Sequence, residues 1–469
     1  MKPKPELPLS GILAGKSRPN GDRQSTLPLW ETLAPPGGIR RHADPRLSLV
    51  LDRRRVYFRF QFLPVQDNCM ISGFSAASSN EIVRPRMPEL DTLRGIAVSL
   101  VVLFHSFGFA YGLHRLSGIP KLLVALTLPG WTGVNLFFVL SGFLITGILL
   151  DTKTRPDYYR RFYFRRALRI LPLYYAVLVL LLLLARTGLV ERRVSWSFLA
   201  LSSVYLANVT NLLGVPMQYG VLWSLAVEEH FYLLWPGLVR LLSRRNLILC
   251  AASVAVLCLS LRVLYYVLGC ATGGYTWLSA DGLALGAILA AVARTQHQSR
   301  RRVRQVTVAA LLSGLGLFAA GAPFGIFLAR RFLGVTLRET ALDLLCVGAV
   351  GGTLLLGTSG WRAMVNRPGL QFLGKISYGV YLTHMLIFEV VVHLLGRWWP
   401  GLPPAENNFS IMLLRFAISG SLTLALMSFS RRYFEEPFLA LKASSAANRA
   451  PVATLPQEPA QPEGQLQSA

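Results

Sequence analysis

An arginine and a histidine are spaced along one apolar segment in a way that could support chemistry inside a membrane. Arg94 stands at the start of the segment and His105 follows eleven residues later. Eleven residues make about three helical turns, so both side chains would lie on one helix face, about 16 Å apart. That is roughly half the hydrocarbon thickness of a bilayer, which predicts Arg94 at a membrane surface and His105 near the midplane. A histidine there is commonly functional, and a hydrogen-bonded place in a helix bundle is the alternative.

A second ionisable group interrupts another apolar segment, residues 221–242. It contains Glu228, Glu229 and His230 in succession. Adjacent helical residues point about 100° apart, so the two glutamates cannot face one point. We expect one to face the bundle interior while the other pairs at its flank. Structural ion pairing of both is the alternative, because bare charges inside a membrane are unfavourable.

Two smaller sets of polar residues also lie in apolar segments. Asp281 is a lone acid among small residues, which permit close helix packing. His384 follows Tyr381 by three residues and Ser377 by seven, so these three side chains could share a polar helix face. Structural hydrogen bonding is an alternative for Asp281 and the favoured interpretation for the His384 group.

Arginines recur at four-residue spacing just before the third apolar segment. They are Arg161, Arg165 and Arg169, and Arg166 is adjacent to the second of them. Such a row could bind phosphate groups through bidentate hydrogen bonds. Attraction to lipid headgroups is the alternative.

The elements that must position these residues are membrane spans. Hydrophobic residues make up 53% of the chain and charged residues 15%, which is unlike a soluble protein. Ten apolar runs are long enough to cross a bilayer. They are 95–112, 130–150, 170–187, 221–242, 246–268, 276–293, 306–324, 341–357, 376–396 and 411–430. We therefore predict an all-α, polytopic membrane helix bundle of about ten transmembrane helices. Segment 196–215 contains two asparagines and could be a further span, a re-entrant piece or an interfacial piece.

Charge predicts the orientation of these spans. Lysine and arginine cluster after every even-numbered span, so the positive-inside rule places those loops and both termini in the cytoplasm. We therefore predict a multi-pass protein of the cell inner (plasma) membrane. Arg330, Arg331 and Arg338 run against the trend. The net charge of +25 reflects topology, and we predict contact with membrane lipid and no nucleic-acid partner.

The remaining composition predicts no metal site and two flanking segments. The five cysteines have no zinc-binding spacing and are read as small core residues. Residues 1–68 are rich in proline and arginine, and residues 1–86 are predicted to be a disordered or mis-assigned N-terminal extension, with Met70 and Met87 as alternative starts. Residues 87–440 form the predicted membrane domain, and 441–469 a disordered cytoplasmic tail.

Six motifs in order resemble the acyltransferase-3 family of integral-membrane acyltransferases, which modify sugars and other secreted or surface molecules. They lie at 88–105, 133–145, 164–172, 223–232, 374–384 and 433–437, and the first includes the Arg-x10-His spacing. Thr92 stands where many relatives have glycine, and Asn135 where many have aspartate. The chain looks like the stand-alone form of the family, without an SGNH-type domain.

The resemblance implies that an acyl group, usually acetyl, passes from cytoplasmic acyl-CoA to a hydroxyl of a sugar or of a surface or secreted glycan. By analogy, Arg94 and the arginines at 165, 166 and 169 bind the CoA phosphates. The thioester then reaches His105, which acts as general base. Glu228 or Glu229 would orient the imidazole, and an acylated His105 intermediate is an alternative route.

Two other function classes share some of these features. A secondary transporter would also carry intramembrane His, Glu and Asp, but the sequence shows no mirrored halves and a transporter needs no phosphate-binding row. A non-catalytic scaffold would not need Arg94 and His105 on one face. We therefore favour an acyl-CoA-dependent acyltransferase with a carbohydrate or glycosylated acceptor.

Overall fold

A computed structural model of the chain describes residues 82–84, 86–108, 116–190, 194–295, 299–357, 362–402 and 408–438. All of these residues belong to one compact unit, Gly73–Ala469. The predicted C-terminal tail lies outside the described residues, as does the predicted N-terminal extension apart from its last few positions. The domain boundaries therefore stay predictions.

Helices account for the regular structure of the described residues, which contain no β-strand. Fourteen α-helices occur in the part of the chain that the structure describes. They are Pro88–Leu103 (α1), Gly118–Thr127 (α2), Gly133–Asp151 (α3), Tyr158–Thr187 (α4), Trp196–Ser203 (α5), Leu222–Leu241 (α6), Arg244–Val267 (α7), Thr276–Ser279 (α8), Asp281–Ala293 (α9), Ser299–Gly321 (α10), Phe332–Gly357 (α11), Arg362–Val365 (α12), Pro368–Trp398 (α13) and Phe409–Ser430 (α14). The prediction of an all-α polytopic membrane bundle is confirmed.

Eight helical segments of the described residues are long and apolar enough to cross a membrane, fewer than the ten spans predicted. The two that differ are α6 and the pair α8 and α9. The 20 residues of α6 reach about 30 Å, but Glu228 and Glu229 make the helix too polar to qualify. The predicted span 276–293 is interrupted at Ala280, which leaves 13 residues in α9. The doubtful segment 196–215 forms the short α5 and a 3-10 turn, Ala207–Leu213.

Glycines let α1 and α13 approach closely and run side by side. A Cβ atom on Gly95 would lie 2.0 Å from the Leu370 carbonyl oxygen, and one on Gly374 would lie 1.9 Å from that of Asp91. His105 follows Gly95 by ten residues, and His384 follows Gly374 by ten residues. Because helices with equal rise advance together, this crossing brings the two histidines to the same level.

A second close crossing joins α3 and α9. A Cβ on Gly142 would lie 2.0 Å from the Leu283 carbonyl oxygen, and one on Gly286 would lie 2.1 Å from that of Val139. Small residues at such crossings allow backbones to touch in a membrane. The first turns of α3 and α9 both lie against α11. Asn135 of α3 contacts Asp343 of α11, and Asp281 of α9 contacts Thr340 of α11.

Candidate active site

His105 stands in a π-helical turn that follows α1. The turn covers Phe104–Gly108 and replaces the continuous α-helix that the sequence predicts. Single π-turns inside helices often occur at functional sites, because they change the direction of the side chains that follow. Here the turn leaves His105 half-buried on the wall of a cavity.

The hydrogen bonds around His105 assign its tautomer. His384 is fully buried, and its Nδ1 lies 2.7 Å from the Tyr381 carbonyl oxygen and 3.1 Å from that of Val380. Carbonyl oxygens only accept, so Nδ1 of His384 carries the hydrogen and Nε2 carries a lone pair. That Nε2 lies 3.3 Å from Nδ1 of His105, which is also 2.9 Å from the Val101 carbonyl oxygen. Both neighbours accept, so Nδ1 of His105 donates and the basic lone pair of His105 is on Nε2.

His105 opens onto a cavity of about 440 Å³, which we call the histidine chamber. This volume falls within the range of small-molecule sites. The wall combines aromatic rings with polar side chains from α3, α7, α9 and α11. The polar and aromatic members include Trp131, Asn135, Trp223, Arg262, Asp281, Arg338, Glu339 and Asp343.

A second cavity, the arginine chamber, adjoins the first. Its wall is lined by three arginines and two glutamates, Arg94, Arg166, Arg169, Glu228 and Glu229, together with Ser141 and Ser377. The two chambers share Val134, Phe138 and Tyr381 as lining residues. The three arginines and His105 therefore lie in neighbouring cavities that have this wall in common.

The charges of the arginine chamber are unevenly compensated. Arg166 stacks on the Tyr232 ring at 3.7 Å and has both glutamates as electrostatic partners. Arg94 has Asp91 at 3.9 Å. Arg169 is repelled by Arg94 and by Arg166, and its side chain is accessible from the chamber. Guanidinium groups that repel one another in a shared cavity have the charge and the hydrogen-bond donors to hold an anion.

Arg165, which the sequence groups with Arg166 and Arg169, does not line the arginine chamber. Its electrostatic neighbours are Arg161, Arg155 and Asp157. The buried face of α4 carries Phe162, Ile170, Leu173 and Val177, at helical spacing. Arg166 lies in register with that face and Arg165 lies one residue out of register, about 100° around the helix. The four-residue spacing alone could not reveal this difference.

The glutamates lie in the arginine chamber rather than in the histidine chamber. Glu228 accepts hydrogen bonds from Ser141 Oγ at 2.9 Å and from the Tyr232 hydroxyl at 3.0 Å. The expectation that Glu228 or Glu229 orients His105 is therefore replaced by a different arrangement. It is His384 whose ring nitrogen faces Nδ1 of His105.

The other predicted polar residues take different places. Tyr381 lines both chambers, and its hydroxyl is hydrogen-bonded to Ser224 Oγ. Ser377 lines the arginine chamber and donates to the Gly374 carbonyl oxygen at 2.9 Å. Asp281 is buried and pairs with Arg262 at 2.5 Å. Asp281 thus has a charged partner that the sequence interpretation did not name.

Sequence reasoning missed a polar network on α7 and α11. Arg262 interrupts one predicted span, and Asp343 interrupts another one turn after Glu339. Asn135 Nδ2 donates to Asp343 Oδ1 at 2.8 Å and to Glu339 Oε2 at 3.3 Å. The available signal was the rule that ionisable residues inside spans face partners or cavities. As for metals, no group of three or more His, Cys, Asp or Glu side chains that could hold an ion occurs among the described residues.

Comparisons with known proteins agree with the motifs. The model of an acyltransferase domain matches residues 87–429. Peptidoglycan O-acetyltransferase OatA of Listeria monocytogenes is 32% identical over 167 residues, which are 33% of this chain and 24% of OatA. Nodulation protein 10 of Rhizobium leguminosarum bv. viciae is 26% identical over 80% of this chain and 99% of its own length.

YrhL of Bacillus subtilis, whose name assigns it provisionally to peptidoglycan O-acetylation, is 30% identical over 66% of this chain and 50% of YrhL. The chain therefore spans about a quarter of OatA and half of YrhL. No solved structure matches the chain significantly. The domain match covers most of the sequence and nearly all of the described helices. This chain belongs to the acyltransferase-3 family of integral-membrane proteins.

Proposed function

We propose that this protein is a membrane O-acyltransferase that moves an acyl group, most simply acetyl, from acyl-CoA to a hydroxyl of a sugar or glycan. The observation that carries the proposal is the position of His105, in a chamber that adjoins a cluster of three arginines. The names of the relatives OatA and YrhL, which describe O-acetylation of peptidoglycan, support the reaction class.

The arginine chamber is proposed to bind the phosphates of acyl-CoA. Arg94 and Arg169 repel each other when the chamber holds no anion, and a phosphate between them replaces this repulsion with attraction. Guanidinium groups suit phosphate because their planar fork matches two phosphate oxygens. The thioester end of the donor would extend past Phe138 and Tyr381 towards His105.

His105 is proposed to act as general base through Nε2. Nε2 takes the proton of the acceptor hydroxyl while that oxygen bonds to the thioester carbonyl carbon. The carbon–sulfur bond then breaks, and the CoA thiolate takes the proton back from Nε2. His384 holds Nδ1 of His105 as a donor throughout, so that the lone pair stays on Nε2.

The membrane orientation belongs to the same proposal. The basic clusters between spans favour an inner-membrane protein with both termini in the cytoplasm. Arg94 lies near the start of α1 and would then face the cytoplasmic surface, where acyl-CoA is available. An acceptor outside the cytoplasm would enter the histidine chamber from the opposite surface.

The test is release of free CoA by the purified protein in lipid nanodiscs. We expect acetyl-CoA to be consumed, faster with a glycan acceptor, and His105→Ala to slow the reaction by about 10²–10⁴-fold, the usual contribution of a positioned general base. His393→Ala removes a histidine elsewhere on α13 and is the matched control. Equal rates for His105→Ala and the unaltered protein would remove His105 from the mechanism. Complete absence of CoA release would refute acyl transfer from CoA.

A further inference from the structure

The polar wall of the histidine chamber carries more negative than positive charge. Three carboxylates line it, at Asp281, Glu339 and Asp343, against the two guanidinium groups of Arg262 and Arg338. Arg262 pairs with Asp281 at 2.5 Å, and Arg338 pairs with Glu339 at 3.4 Å. Within the described residues no arginine or lysine pairs with Asp343 in this way, and acidic side chains outnumber guanidinium groups on the wall by one, a formal surplus of one negative charge.

Asp343 is held in place by a hydrogen bond from an uncharged amide. It is 1% exposed, and its Oδ1 accepts from Asn135 Nδ2 at 2.8 Å. Gly282 leaves room for this carboxylate, because a Cβ there would lie 2.9 Å from Oδ1. The amide of Asn135 also reaches Glu339, so a single donor group bridges two carboxylates.

The same wall has unused hydrogen-bonding capacity beside the cavity. Glu339 is the more accessible of the bridged acids, with 31% of its side chain exposed. Arg262 is buried, and its Nε has no hydrogen-bond partner among the described residues. On the aromatic side, Arg338 lies 4.8 Å from the Trp131 ring centre. A cavity with aromatic surface and a few convergent polar groups is typical of a small-molecule site.

We propose that the wall formed by Asn135, Glu339 and Asp343 is the acceptor subsite, and that it admits hydroxyl-bearing molecules without negative charge, such as neutral sugars and amino sugars. Ionised carboxylates only accept hydrogen bonds, so they favour ligands rich in O–H and N–H donors. An anionic sugar, such as a uronic acid, would be repelled by the surplus charge. The identification of the bound molecule as the acyl acceptor rests on the proposed function, whereas the charge preference of the chamber does not.

The test measures charge preference without acyl transfer. Ser279 lines the chamber next to the polar wall, and Ser279→Cys introduces a thiol there with little change in size. Its rates of modification by a trimethylammonium-ethyl and a sulfonatoethyl methanethiosulfonate are followed by peptide mass spectrometry. The exposed natural thiol of Cys270 is the reference in the same sample.

We expect the cationic-to-anionic rate ratio at position 279 to exceed that at Cys270 by about tenfold, from one net charge at short range in a medium less polar than water. Asp343→Asn and Glu339→Gln should each lower that ratio, and Arg338→Gln should raise it. Equal ratios at the two thiols would overturn the proposal, as would ratios unaffected by both acid substitutions. A third reagent, methyl methanethiosulfonate, is small and uncharged. Its failure to modify the thiol at position 279 would also overturn the proposal, because the chamber would then be closed to acceptors.

Failure of this inference and failure of the proposed function are distinguishable. The thiol reaction requires no acyl-CoA, so an enzyme inactive in the CoA-release assay would still report the charge of the chamber. Conversely, CoA release that depends on His105, with no charge preference at position 279, would leave acyl transfer supported and remove only the acceptor subsite.

Discussion

At the scale of single residues, His384 explains how His105 could serve as a base. The carbonyl oxygens of Val380 and Tyr381 accept from Nδ1 of His384 and so fix the proton on that nitrogen. That in turn fixes the proton on Nδ1 of His105. A third group that orients a catalytic imidazole has the same effect in hydrolytic triads. Here the orienting group is neutral, which avoids burying a carboxylate beside the base.

Replacing His384 tests this role. We expect His384→Ala to lower kcat by about 10²-fold, the lower end of what a positioned general base contributes, with little change in the KM for acyl-CoA. His384→Gln should recover part of the loss, because its side-chain carbonyl oxygen can still accept from His105. Measuring kcat and KM for both variants separates positioning from packing. A glutamine variant as slow as the alanine variant would assign His384 to packing alone.

At the scale of helices, the sequence predicts spacing well and helix contacts poorly. The separation of Arg94 from His105 and the membrane character of the segments follow from helical rise and hydropathy. The contact between His105 and His384 joins positions 279 residues apart, so no local pattern contains it. The π-turn at Phe104–Gly108 and the interruption at Ala280 are local backbone features, which a hydropathy pattern does not register.

Helix α4 provides a matched comparison of two arginines. Arg169 lines the arginine chamber, whereas Arg165 lies four residues earlier among Arg155, Arg161 and Asp157. We expect Arg169→Gln to raise the KM for acyl-CoA by about 10–100-fold, because a hydrogen bond between charged groups contributes about 1.5–3 kcal/mol. Arg165→Gln makes the same charge change and should leave this KM nearly unaltered.

The Arg169→Gln substitution should not lower the stability of the fold. Arg169 is repelled by Arg94 and Arg166, so its removal is expected to leave Tm unchanged or slightly higher in the absence of donor. Thermal unfolding with and without CoA measures this directly. Equal donor KM values for the Arg165 and Arg169 variants would favour the alternative that these arginines serve topology and lipid headgroups.

At the scale of the whole molecule, the two adjoining chambers suggest how a reaction could join the two sides of a membrane. Tyr219 has a structural place, because it is buried and its hydroxyl donates to the Leu382 carbonyl oxygen. Trp398 and Trp399 remain exposed at the end of α13. Thr272 and Gly273 line the histidine chamber and are exposed.

Orientation can be measured with an impermeant thiol reagent on intact cells. We expect Ser117→Cys, at an exposed position before α2, to react from outside and Ser299→Cys, at the start of α10, to react only after the membrane is opened. Asn408, in another predicted outside loop, is less suitable for a labelling cysteine, because its side chain caps α14 by accepting from the Ser410 and Ile411 amides. The reverse labelling pattern would place the acceptor in the cytoplasm.

The central claim is that a donor held by the arginine chamber presents its acyl carbon to His105. A cryo-electron-microscopy structure with a non-hydrolysable acyl-CoA analogue tests this claim most directly. We predict phosphate oxygens within hydrogen-bond distance of Arg94 and Arg169, and the acyl carbon near Nε2 of His105, with room between them for one hydroxyl oxygen at about 3–3.5 Å from the carbon. An analogue whose phosphates lie elsewhere, or whose acyl carbon lies in neither chamber, would contradict the account.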